Sequence, residues 1–233
     1  MKIYIIRHGD PDYSIDSLTE KGWREAELLS ERMKHLPIDD FYCSPLGRAQ
    51  DTLKPTLKKV GKPFETLPWL REFEGRKAGT TPGTTRVSWD IPPSIWCNES
   101  KFYTLDQWTE PTWMAESTAP GAYPEVAKGI DELLSRYGWN REGMVYRGGE
   151  EKTIALFCHF GLGSLLMGYL LGISPVVAQN SFFLAPTSVT TLVSETEEAG
   201  YSHFRATGVG DISHLYAGGE PMSESGLYPN FEK

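Results

Sequence analysis

Two histidines and two arginines stand where apolar runs stop. Lys2 to Ile6 is short, apolar and β-branched, and it ends at Arg7-His8-Gly9. Asp40 to Cys43 runs into Ser44-Pro45-Leu46-Gly47-Arg48, and Thr153 to Cys158 ends at His159-Phe160-Gly161. A neutral imidazole is a competent nucleophile near neutral pH, and a neighbouring cation favours its neutral form. Arginine offers planar, forked donors that fit phosphate oxygens two at a time. These residue types point to phosphoryl transfer, with His8 attacking phosphorus. Arg7, Arg48 and a protonated His159 then stabilise charge on the equatorial oxygens. The departing alkoxide needs a proton, which a carboxyl of raised pKa supplies. Glu72 is the candidate, just after the extended piece Phe64 to Leu67, and Glu74 is the reserve. Water then cleaves the phosphoenzyme, with the same carboxylate as base. The sequence has no HExxH or DxDxDG spacing, so neither metal nor cofactor is expected.

The elements that must hold these groups follow from periodicity. A capping-box pattern at Ser17 to Glu20 precedes Trp23, Ala26, Leu29, Met33 and Leu36 at helical spacing, and Pro37 ends that helix. Pro45 suits the first turn of a helix lasting to about Lys59. A helix is predicted over Pro124 to Tyr137, and an apolar one over Gly161 to Leu171. Thr187 to Ser194 and Tyr201 to Thr207 read as a closing strand pair. The alternation of strands and helices predicts an α/β fold: three layers, α/β/α, around a mainly parallel central sheet. In such sheets the ligand crevice lies beyond the carboxyl ends of the strands, where the charged groups stand. Residues 1–233 form a single expected domain. The segment 75–123 carries Pro82, Pro92, Pro93, Pro111 and Pro120 with four of the seven tryptophans, and reads as an inserted lid. The segment 208–233, rich in Gly, Ser and Pro, reads as a surface tail.

Composition bounds the partners. Hydrophobic residues make up 39% and charged residues 23% of 233, as in ordinary globular proteins. A formal charge of −8 gives no reason to expect nucleic acid or an anionic membrane, so positive charge for an anionic substrate has to be local. Cys43, Cys97 and Cys158 form no CxxC pair, and the first residues carry too short an apolar run for a signal peptide. The expected setting is the cytoplasm, and the expected partner a small phosphorylated metabolite. Cys158, beside His159 on a strand, faces the other way and reads as a buried hydrophobe. His35, His203 and His214 read as structural.

The motif set resembles the histidine phosphatase superfamily, also called the phosphoglycerate mutase-like fold. Arg7-His8-Gly9 is similar to its signature triplet, Ser44 to Thr52 to its Ser-Pro-leading Arg-Ala-x-x-Thr motif, Leu70-Arg71-Glu72 to its acid motif, and His159-Phe160-Gly161 to its second histidine block. The resemblance implies a phosphohistidine at His8, proton transfer by Glu72, a catalytic His159, and a phosphate pocket of Arg7, Gly9, Ser44 and Arg48. Members that are mutases carry a longer stretch after the triplet, with Trp and Asn. Here it is the short, acidic Gly9-Asp10-Pro11-Asp12-Tyr13, which favours a phosphomonoesterase over a mutase. A non-catalytic phosphate-binding module would require a missing catalytic group, and none is missing. Arg71, Arg76 and Lys77 at the rim favour a second anionic group on the substrate, whereas the lid tryptophans favour a flat or apolar leaving group.

Overall fold

A computed structural model describes residues 1–79 and 84–227. Pro82 and the last six residues of the expected tail lie outside the described residues. An eight-stranded sheet forms the middle layer: β1 (Lys2–Arg7), β2 (Asp40–Cys43), β3 (Phe64–Thr66), β4 (Asn140–Glu142), β5 (Val145–Arg147), β6 (Thr153–Cys158), β7 (Val189–Thr196) and β8 (Tyr201–Asp211). The spatial order is β3-β2-β6-β1-β7-β8-β5-β4. The first four run parallel, and from β1 outward every pairing is antiparallel. The parallel half is the half that carries the motifs.

Alternation along β1 divides the core. Ile3 and Ile5 pack on one face, with Leu156 of β6 and the helices α3 (Ala119–Ser135) and α4 (Phe160–Leu171). Tyr4 and Ile6 pack on the other, with Phe157, α1 (Glu20–Met33) and α2 (Gly47–Val60). Burial on both faces is what makes these strands continuous apolar runs. Thr19 caps α1 by accepting from the Gly22 N–H, while Ser17 belongs to a small hairpin, Pro11–Asp12 with Ser17–Leu18. α3 begins five residues before the expected Pro124 and carries that proline inside. The β4–β5 hairpin has no counterpart in the periodicity reading.

Ahead of α3, the described residues of 75–123 form a two-residue strand pair, Lys77–Ala78 with Thr85–Arg86, and short helical turns at Pro93–Trp96, Ser100–Tyr103 and Thr112–Ala115. Phe102, Trp108 and Met114 are buried in the same core as α3 and α4. Trp89 instead meets Phe160 edge-on, 5.3 Å between ring centroids, beside the second histidine block. β8 continues past the expected Thr207 to Asp211, and α6 (Ser213–Gly218) follows after the short helix α5 (Pro175–Ser181) earlier in the chain. His214 and Leu215 of α6 are buried, so part of the segment after 208 packs inward. Among the described residues no helix is long and apolar enough to cross a membrane.

Candidate active site

Register brings the strand ends together. Arg7 of β1 pairs with Cys158 of β6, and Phe157 pairs with Cys43 of β2. One residue further on, the His8 N–H donates to the Cys158 carbonyl at 3.0 Å and the Ser44 N–H to the Phe157 carbonyl at 2.9 Å. His8 and His159 thus face each other with ring centroids 5.1 Å apart. Both are buried, as are Arg7, Ser44 and Arg48.

The tautomer of His8 follows from its partner. Its Nδ1 lies 2.7 Å from the Gly9 carbonyl, which can only accept, so Nδ1 carries the hydrogen and Nε2 the lone pair. Burial, with Arg7 and Arg48 beside it, holds His8 well below the usual histidine range. His159 is also held well below that range, by burial and then by His8, Arg48 and Arg7, so it is neutral in this state and not the imidazolium expected. Its Nε2 lies 2.7 Å from Ser44 Oγ, and that hydroxyl also accepts from the Leu46 N–H.

Glu72 enters from the loop after β3. Its Oε1 accepts from its neighbour Phe73 N–H at 2.9 Å and from Leu162 N–H, in the first turn of α4, at 3.0 Å. Those bonds and the charges of Arg7 and Arg48 favour the carboxylate, but burial outweighs them and pushes Glu72 up to about 7. Glu74 is instead chelated by Arg76 at the surface. Of the two carboxyls, Glu72 is the one anchored at the start of α4 within electrostatic reach of Arg7 and Arg48.

Three placements differ from expectation. The Gly9 N–H donates to Thr52 Oγ1, itself bonded to the Arg48 carbonyl, so Gly9 offers its amide to the protein and not to phosphate. Arg7 directs Nη1 to the Leu184 carbonyl and Nη2 to Ser225, both at 2.7 Å, because the tail folds back over it. Its charge lies over Phe160 and Phe183, and burial lowers its pKa to about 10, which leaves it a cation at neutral pH. Arg48 is paired with Asp16 at 2.5 Å and lies over the Tyr13 ring. Three buried nitrogens around His8 carry no hydrogen bond: Arg7 Nε, Arg48 Nε and His159 Nδ1.

Sequence reasoning missed several supporting residues. Asp16, in a left-handed conformation at the tip of the hairpin, caps α2 by accepting from the Gly47 N–H. Glu25, fully buried in α1, accepts from the Asp10 N–H and is pushed up to about 7 by burial. Ser223 donates to Asp10 and ties the tail to the same loop. Thr187 stands behind the nucleophile: its N–H reaches the carbonyls of both Arg7 and His8, at 3.1 and 3.2 Å. It does so at φ 58, an unfavourable conformation for a β-branched residue, and His214 contacts its hydroxyl at 3.2 Å. The acidity of Asp10 to Asp16 was the legible hint of a counter-charge for Arg48. Nothing in the sequence announces Thr187.

The sequence matches the histidine phosphatase superfamily (branch 1) over residues 3–207. A probable phosphatase of Schizosaccharomyces pombe is 26% identical over 229 residues, which cover 92% of this chain and 95% of that protein. A 2,3-bisphosphoglycerate-dependent phosphoglycerate mutase of Thermoplasma acidophilum is 37% identical over 94 residues, 34% of this chain and 47% of the mutase. In fold, the chain resembles a phosphoserine phosphatase of Entamoeba histolytica crystallised with phosphoserine, with a TM-score of 0.61 at 21% identity over 92% of this chain and 98% of the other.

Proposed function

The chain belongs to the histidine phosphatase superfamily, and from that premise we propose that it is a metal-independent phosphomonoesterase acting on a small organic phosphate through a phosphohistidine at His8. The observation that carries this reading is the state of His8: buried, neutral, with Nδ1–H tied to Gly9 and the Nε2 lone pair free, among three buried nitrogens that have no hydrogen bond. Nε2 attacks phosphorus as the ester P–O bond breaks, and Glu72 gives its proton to the departing oxygen. Arg7 and Arg48 supply positive charge for the equatorial oxygens. Ser44 positions His159, donating to Nε2 so that Nδ1–H points to phosphate. In the second half, the Glu72 carboxylate takes a proton from water, water attacks phosphorus, and the P–N bond breaks to release phosphate. Trp89, packed against Phe160 beside the second histidine block, supports a lid role for the described part of the segment 75–123. The three free cysteines, two of them buried, suit a reducing compartment such as the cytoplasm.

Rapid quench after mixing with a radiolabelled monoester tests the reading. An acid-labile, base-stable phosphorylated chain is expected, lost in His8→Ala. Full hydrolysis by His8→Ala would overturn the nucleophile, and absence of any adduct would leave a phosphate-binding module. With 3-phosphoglycerate, free phosphate is expected; formation of the 2-isomer instead would assign a mutase.

A further inference from the structure

If Glu72 protonates the leaving oxygen, that oxygen must come within hydrogen-bond reach of its carboxyl, so the leaving group lies on the Glu72 side of phosphorus. On that side Glu72 forms part of the wall of a cleft of about 530 Å³, within the range of roughly 300–1,000 Å³ that holds small organic ligands. The cleft runs between the loop after β3 and the first turns of α3. Pro68, Trp69 and Phe73 line it from the loop, and Ala122 and Val126 from the helix. This wall is firmly backed. A Cβ at Gly129 would come within 2.5 Å of the Trp69 ring, so only glycine there lets the indole seat against α3. Phe73 meets the buried Trp108 edge-on at 6.4 Å.

The charges at this opening give a second anion no net attraction. Arg76, expected at the rim, is chelated by Glu74 and also reaches Thr85. Lys77 is paired with Glu116. Among the residues that line the cleft, Arg71 stands with Glu72, Glu74 and Glu125. Glu74 is taken up by Arg76 and Glu72 is protonated as the acid, which leaves Arg71 offset by Glu125; a carboxylate on the leaving group would find no net positive charge there and would lose hydration against an aromatic and aliphatic wall. An uncharged ring or branched alkyl group would bury apolar surface there at no such cost.

We infer that this cleft is the leaving-group site, and that it selects monophosphate esters of uncharged phenols or apolar alcohols over esters of hydroxy acids. The inference rests on the phosphomonoesterase reading. The test therefore separates the two with phosphoramidate, whose leaving group is ammonia and does not reach the cleft. Phosphorylation of His8 by phosphoramidate reports the phosphoryl pocket alone. kcat/KM is then compared for 1-naphthyl phosphate, 3-phosphoglycerate and phosphoserine. The expected result is at least a tenfold preference for the naphthyl ester. Glu125→Lys should narrow that preference by raising turnover of 3-phosphoglycerate. Ala122→Trp and Trp69→Ala should each lower naphthyl kcat/KM, relative to the phosphoramidate rate of the same variant, by fivefold or more through KM. Phosphoramidate labelling with equal or better turnover of 3-phosphoglycerate would overturn the inference and leave the phosphatase reading standing. No labelling from any donor would overturn both.

Discussion

Glu72→Gln is the perturbation that isolates a proton. Both N–H bonds to Glu72, from Phe73 and Leu162, converge on the single oxygen Oε1. A glutamine carbonyl can accept both, so the variant keeps the anchorage at α4 and loses only the acid. With the carboxyl at about 7, the fraction protonated is about 97% at pH 5.5 and about 10% at pH 8. Wild-type kcat/KM for an alkyl phosphate, a poor leaving group, should therefore fall about tenfold per pH unit above 7, while Glu72→Gln should be down by about 10²–10⁴ at pH 5.5 and lack that limb. A nitrophenyl ester, whose phenolate leaves without a proton, should lose far less in the phosphorylation step. Stability carries the same signature. The folded pKa lies above the ordinary 4.5, so this group's stabilisation is full below about 4.5 and is lost as pH rises through 7. A span of about 2.5 units is at most about 3 kcal/mol. Urea titrations at pH 5 and pH 8 should show the wild type losing more stability than Glu72→Gln; Glu25, which also titrates near 7, is common to both chains and cancels. Phosphate-release kinetics that keep the limb near pH 7 in Glu72→Gln, or alkyl-phosphate turnover within threefold of wild type at pH 5.5, would refute the assignment.

Other expectations rest on separate contacts. Ser44→Ala removes the hydroxyl 2.7 Å from His159, and leaving that buried ring unpaired should cost about 1–3 kcal/mol in urea unfolding and lower kcat more than it raises KM. Gly226→Val combines a φ of +88 with a Cβ 2.9 Å from Arg7 Nη2; by displacing the tail carbonyl from Arg7 it should lower KM for small phosphates, measurable by phosphate release. Thiol titration of the native protein at pH 8 should show fast reaction at the exposed Cys97 alone, because burial pushes Cys43 up to about 12 and Cys158 further; unfolding should release all three.

The parallel half of the sheet was legible because burial on both faces leaves an unbroken apolar run, and a charge at its end then has to belong to a site. The convergence of these strand ends on one edge was implied by three such runs ending at Arg7, Ser44 and His159. The antiparallel half was less legible: β4 and β5 are three-residue strands, β4 with exposed ends, and the hairpin joins the sheet through the pairing of β5 with β8, far along the chain. Residue types pointed to which side chains gather at the strand ends, but not to their bonding. Arg7 was readable as a cation beside His8, but its partners at Leu184 and Ser225 are set by the return of the chain some two hundred residues later. Gly9 stood in the right triplet, yet its amide is used to hold α2 through Thr52. Glu72 turns in to the start of α4 while Glu74 turns out to Arg76, a difference that a loop sequence does not reveal.

Thr187 gives the protein an unusual exposure to selection in the laboratory. A β-branched residue at φ 58 costs the fold about 1–3 kcal/mol, and glycine would relieve it. A library screened for heat resistance would reward Thr187→Gly early. The same exchange frees the backbone that holds the carbonyls of Arg7 and His8. Thermostability selected without an activity filter would therefore drift away from a functional enzyme at a residue that touches no substrate.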